Sequence, residues 1–211
     1  MNIHEILFGS RPKSILKIIK EGDLEELKNF ITNGGDINEK YNDTSLLHFA
    51  IDNCEKNYFD IIQFLVNNGA DINSNQSYLK ELPLHRICAR VSPKMDVIKL
   101  LLEKGSKVNT ENISGKTPIF YCNFNYSVEL LNLLIKYGAD IKHRDKYSNT
   151  ILHDDYLTCR DTDKFQEYLN EVVSLGLDIN SKNNLGHTPL YLCKNKSIEN
   201  ILMEHGAKRS V

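Results

Sequence analysis

Apolar positions along this 211-residue chain follow two alternating rhythms. One is helical, as in Ile61, Ile62, Leu65 and Val66, then Val97, Leu100 and Leu101, then Leu130, Leu131, Leu133 and Leu134. Residues at i, i+3 and i+4 share one helix face, so each run predicts an amphipathic helix with one buried stripe. The other is a shorter apolar run, anchored by Leu47, Leu84, Ile119, Leu152 and Leu190, which predicts a short helix ahead of each long one. Glycines punctuate the pattern at Gly34, Gly69, Gly105, Gly138, Gly176 and Gly206. Glycine reaches the left-handed conformation past a helix end without a Cβ clash, so these are helix stops.

Two phrases keep time with the glycines. The first reads ITNGGDIN at 31–38, VNNGADIN at 66–73, KYGADIK at 136–142 and SLGLDIN at 174–180. Its Asp and Asn suit turn hydrogen bonds, and its isoleucine is expected to point inward. The second reads SLLHFA at 45–50, LPLHRI at 82–87, TPIFYC at 117–122, TILHDD at 150–155 and TPLYLC at 188–193. In Thr117-Pro118 the hydroxyl can cap a helix and proline is tolerated at its first position. The glycine-to-glycine steps are 35, 36, 33, 38 and 30 residues. Such a period marks a unit that cannot bury its own apolar face and stacks on copies of itself.

With both phrases in register, the chain resembles the ankyrin repeat family over residues 13–208. The resemblance implies an all-α ankyrin-repeat solenoid of stacked helix–turn–helix units with β-hairpin-like loops. The organisation it implies is an extension at 1–12, a single array at 13–208 and a tail at 209–211. Units are expected near 13–39, 40–76, 77–111, 112–144, 145–182 and 183–208. The helix expected at Ser14–Lys20 carries lysines on its outer side, and the last unit ends in charge, as the ends of an array require. His48, His85 and His153 hold the place at which the family's histidine bonds between neighbouring loops. Phe120 and Tyr191 stand there in two units, whose loops are expected to be joined less tightly. Asn38, Asn73, Asn109 and Asn180 resemble sites that asparaginyl hydroxylases modify in ankyrin proteins, although asparagine is a good turn residue without any such role.

Composition removes several function classes. The chain has 26 Lys and Arg against 28 Asp and Glu, mixed along its length, for a net charge of −2. That is not the basic footprint of a nucleic-acid binder. There is no apolar run of about 18 residues to span a membrane. The opening MNIHEILFGSRPKS lacks the apolar core of a signal peptide. Five cysteines, Cys54, Cys88, Cys122, Cys159 and Cys193, recur at separations of 34, 34, 37 and 34. No CxxC pair offers a zinc site, and each cysteine is expected to fill a small buried slot. Reduced, buried thiols point to a cytoplasmic setting, the host cytoplasm in the case of an effector.

His153, Asp154 and Asp155 form the densest ionisable cluster and supply the alternative reading, an enzyme with an acid–base site. No GxSxG and no glycine-rich phosphate loop accompanies it. The primary reading is therefore no enzyme, no cofactor, no metal and no small-molecule substrate. It is a protein–protein interaction module that binds and modulates or blocks a partner through its concave face. An immunity protein that neutralises a bacterial toxin, or a viral or bacterial effector that engages a host factor, would fit. The resemblance places Tyr41, Asn42, Tyr78, Leu79, Glu81, Ile113, Lys116, Lys146, Tyr147, Leu185 and His187 at loop tips. It places Arg90, Phe124, Asn125 and Leu157 on the adjoining helix surface. Aromatic and aliphatic residues at tips, where polar ones are the norm, point to a partner.

Overall fold

Most helices here start on a residue whose side chain or ring accepts an N–H that would otherwise be orphaned. The computed structural model describes residues 14–75, 78–90, 92–124, 126–153 and 161–210. The chain divides into two compact units, Met1–Asp71 and Ile72–Val211.

In the first unit, Ser14 caps α1 (Ile15–Glu21) and the Asp23 carboxylate caps α2 (Leu24–Thr32), with Glu25 and Glu26 in its first turn. The acids there also meet the positive end of the helix dipole. A hairpin follows, β1 (Lys40–Tyr41) against β2 (Thr44–Ser45), paired Lys40 to Ser45 and Tyr41 to Thr44. Its two-residue turn puts Asn42 and Asp43 at positive φ, the geometry that matches strand twist. Ser45 then caps α3 (Leu46–Asn53), and α4 (Tyr58–Asn67) runs back. Helix α1 packs on α3 and α2 on α4, so the two helix pairs stack. Ile19, Leu27, Leu47, Ile61 and Leu65 are buried in the core between them.

The second unit continues with α5 (Pro83–Cys88) and α6 (Met95–Glu103), a 3-10 helix (Pro118–Phe124) and α7 (Val128–Lys136), then α8 (Thr162–Ser174), α9 (Pro189–Leu192) and α10 (Lys196–Glu204). Helix α5 packs on α6 and on the 3-10 helix, α7 on that helix and on α8, and α10 on α8 and α9. This is the all-α repeat class expected from the pattern. The 3-10 segment departs from it. Thr117 does not cap it: its hydroxyl is buried with no hydrogen-bond partner. In the units before and after, the N–H of Leu82 and of Thr150 is accepted by Nδ1 of His85 and His153. Phe120 has no ring nitrogen to offer, and its own N–H bonds three residues back to Thr117. Beyond the 3-10 helix, Tyr168 and Phe165 of α8 are fully buried. The Tyr168 hydroxyl donates to Asn123 at 2.6 Å, and the Asn123 amide donates to the Ile151 carbonyl.

The six helix-ending glycines all have φ between 81 and 92°. At each, the following residue's N–H reaches back five residues, as from Ser106 to Leu101 and from Ala139 to Leu134. This is the Schellman arrangement, and it satisfies carbonyls the helix leaves open. The asparagines do more than turn. The Asn109 amide donates to the Gly138 carbonyl at 2.8 Å, and its oxygen accepts the Asp140 N–H at 3.0 Å. Asn38 makes the same double bridge to Gly69 and Asp71, Asn73 to Gly105 and Lys107, and Asn180 to Gly206 and Lys208. Lys142 occupies the place between Gly138 and Gly176 where the pattern calls for an asparagine.

Cys54, Cys88 and Cys193 sit at the ends of first helices, and Cys122 lies within the 3-10 helix. Cys88 and Cys122 are fully buried and Cys193 is buried, but Cys54 is only half-buried, against expectation. Cys54 and Cys193 lie just past their helices, at C-caps, and each thiol donates to a carbonyl two residues on. Cys159 lies outside the described residues.

Two stability predictions follow from this geometry. A Cβ on Gly22, at φ 69°, would sit 2.0 Å from the Lys56 carbonyl oxygen, whereas one on Gly34, at φ 88°, meets nothing within 4 Å. Gly34→Ala should cost about 1–2 kcal/mol, the left-handed penalty alone, and Gly22→Ala clearly more. Asn109→Ala should cost about 1 kcal/mol by removing a net double hydrogen bond, and Lys142→Ala less than about 0.5 kcal/mol. Urea melts check both orders.

Candidate functional site

The tips of the second unit are built from an acceptor residue that folds the loop around itself. The Asn112 side-chain oxygen accepts the N–H of Ser114 and Lys116, Asp145 accepts those of Tyr147 and Asn149, and Asn183 those of Leu185 and His187. Asparagine and aspartate favour such turns because a short side chain can imitate the backbone. Backbone bonds then tie tip to tip. Ile113 N–H donates to Leu79 O at 2.8 Å, Lys146 to Ser114 at 3.1 Å and Asn184 to Tyr147 at 2.9 Å. Gly115 is required at the second crossing, since a Cβ there would lie 2.7 Å from the Lys146 nitrogen.

Histidines tie the same loops from below. In His85, Nδ1 accepts the Leu82 N–H, so the proton sits on Nε2 and donates to the Lys116 carbonyl at 3.2 Å. His153 repeats this, with Nε2 donating to the His187 carbonyl at 3.1 Å. Beside Phe120 the loops were expected to be looser. They are not: His143 Nε2 lies 2.8 Å from the Gly115 carbonyl and its ring meets Phe120 edge-on. The tie comes from the following loop instead of from the place of Phe120.

The resulting row exposes large apolar side chains. Tyr78 is 80% exposed, Tyr147 65%, Leu185 71% and Ile113 41%, with Phe124 54% exposed on the adjoining 3-10 helix. Lys146 is exposed, while Leu79, Arg90, Lys116 and His187 are half-buried. In the first unit Asn42 is exposed and Tyr41 half-buried, its hydroxyl donating to Glu39. Asn125 and Leu157 lie outside the described residues.

Glu81, expected at an exposed tip, is instead buried, at 7% exposure. Its carboxylate accepts the Tyr121 hydroxyl at 2.5 Å and lies 3.4 Å from the Arg86 guanidinium. A buried carboxylate needs such donors. Burial, and then the bond to Glu81, push the Tyr121 phenol well above the usual tyrosine range. Sequence reasoning also passed over Tyr191 as a surface residue. Helix α9 is only four residues long, and Tyr191 on it is 37% exposed and stacked on His187 with ring centres 4.1 Å apart. An aromatic at the histidine place, where no ring nitrogen can reach the next loop, was the available signal.

The acid–base alternative places its chemistry on His153. Both ring nitrogens of His153 are engaged in the bonds above, and Asp154 and Asp155 lie outside the described residues. Among the described residues, no group of three or more His, Cys, Asp or Glu could hold a metal ion. No described helix is long and apolar enough to cross a membrane.

Residues 54–145 match the family model for ankyrin repeats (three copies). Similar proteins include a putative ankyrin repeat protein of Acanthamoeba polyphaga mimivirus, 31% identical over 56% of this chain and 21% of its own length. A putative ankyrin repeat protein of fowlpox virus is 25% identical over 72% of this chain and 45% of its own length. An ankyrin repeat protein of variola virus is 31% identical over 62% of this chain and 23% of its own length. The chain thus spans less than half the length of each of these relatives.

Burial holds the His85 and His153 imidazoles below the ordinary histidine value. An unfolded histidine takes up its proton near pH 6.5, before either folded ring does. Their contribution is therefore complete above about pH 6.5 and is lost as pH falls below it. The urea midpoint should drop between about pH 7 and pH 5, and the double change His85→Gln, His153→Gln should flatten that drop.

Proposed function

This is an ankyrin-repeat chain, and we propose that it works by binding another protein along the loop tips of its Ile72–Val211 unit. The observation that carries this reading is the row of Tyr78, Ile113, Tyr147 and Leu185, solvent-exposed on loops that backbone hydrogen bonds hold in place. Scattered exposed apolar residues are ordinary, but a row of them on one rigid edge is a recognition feature. A pre-formed edge also lowers the ordering cost of association. In the architecture that the resemblance implies, the face is concave. Phe124 and Tyr147 are the apolar anchors. Arg90 gives directional hydrogen bonds, and the remaining tip residues surround them. Tyr41 and Asn42 are proposed as partner contacts of the first unit by itself.

The biological setting consistent with viral relatives is an effector that engages and blocks a host factor, in preference to toxin immunity. The engaged nitrogens of His153 favour binding over the acid–base alternative.

With a partner in hand, calorimetry on folded variants tests the surface. Tyr147→Ala and Phe124→Ala should each weaken binding by about 2 kcal/mol or more. Glu103→Ala, at the end of α6, should leave affinity unchanged. Abolition by the Glu103 change, with the other two silent, would place the partner on the opposite side.

A further inference from the structure

We propose that the partner segment received by these tips is acidic, a run of carboxylates interspersed with apolar side chains. The inference rests on the tips being a protein-binding surface. The loops at 78–81, 110–116 and 143–149 carry seven charged side chains, four cationic and three acidic. Two of the acids, Glu81 and Asp145, are buried. Glu81 is engaged by Tyr121 and Arg86, and Asp145 by the N–H groups of its own turn. Only Glu111 stays exposed, 3.7 Å from His143 Nε2.

Three of the four cations are exposed. Lys80, Arg144 and Lys146 are exposed, and the Lys116 ammonium lies 5.9 Å above the Phe120 ring. Arg144 is held at the tip by bonds to the carbonyls of Ser148 and Lys182, which fix the guanidinium without neutralising it. The fourth tip, 181–187, adds Leu185 and no carboxylate. The whole chain is balanced at −2, yet its exposed tips combine positive charge with aromatic and aliphatic side chains. Charges of one sign along a recognition edge select the sign of the partner and speed its arrival more than they add affinity.

The test uses the full chain and two labelled synthetic peptides, one alternating glutamate with leucine and phenylalanine, the other with lysine in place of every glutamate. Fluorescence anisotropy should show the acidic peptide binding about tenfold or more tightly than the basic one, with rising salt weakening it. The double change Lys80→Glu, Lys146→Glu, checked for helicity, should weaken the acidic peptide by about tenfold. The inference is overturned if the basic peptide binds as well, if the double change is without effect, or if neither peptide binds. If Tyr147→Ala still weakens a natural partner in that case, the binding surface stands and only its charge preference is wrong. If Tyr147→Ala is silent too, both are wrong.

Discussion

Short helices cannot satisfy themselves. An α-helix leaves four N–H groups at its start and four C=O groups at its end without internal partners. The described helices run from 4 to 13 residues, so a large share of their backbone polar groups must find partners elsewhere. In this fold they find them in neighbouring loops and turns. An asparagine one repeat back takes the carbonyl of a helix-ending glycine, a histidine reaches the carbonyl of the next tip, and the tips at Ile113, Lys146 and Asn184 donate to the one before. Individually these bonds are worth about 1 kcal/mol net. Together they make neighbouring repeats a condition of each other's order, in the way stacked arrays are coupled through nearest neighbours.

The same constraint shapes the surface. A tip that must fold around a side-chain acceptor draws Asn112, Asp145 and Asn183 inward, which leaves the outward places open to residues with no role in the turn. Ile113, Tyr147 and Leu185 occupy those places, and Tyr78 is exposed on the preceding tip. Fixed loops presenting apolar side chains are costly in solvent exposure. On the proposed reading they serve association, where a pre-ordered surface loses less entropy.

The fold was largely legible because its signals are local. Glycine past a helix end, i and i+4 leucines, and the paired phrases each act within a few residues. The asparagine bridges are not legible locally, since their partners lie about thirty residues on, at the distance of a repeat rather than of a turn. Thr117 is expected to cap because its Thr-Pro pair reads like Thr188-Pro189, where the Thr188 hydroxyl does accept the Tyr191 N–H. At the site, Tyr78, Tyr147 and Leu185 were placed at the surface from their repeat positions alone. Glu81 was misjudged because its burial depends on Tyr121, forty residues away. The tie at Phe120 was missed for a similar reason: His143 lies outside the histidine place and acts from the neighbouring loop.

Amide hydrogen exchange at the tip crossings bears most directly on the idea that neighbouring loops hold the binding edge in place. The N–H groups of Ile113, Lys146 and Asn184 lie in surface loops, where exchange is ordinarily fast, yet each donates to the preceding tip. Slow exchange at all three, tracking the stability of the second unit, is the result predicted. Exchange at the rate of an unprotected loop would show the tips to be independent, and the edge would then have no fixed form for a partner to meet.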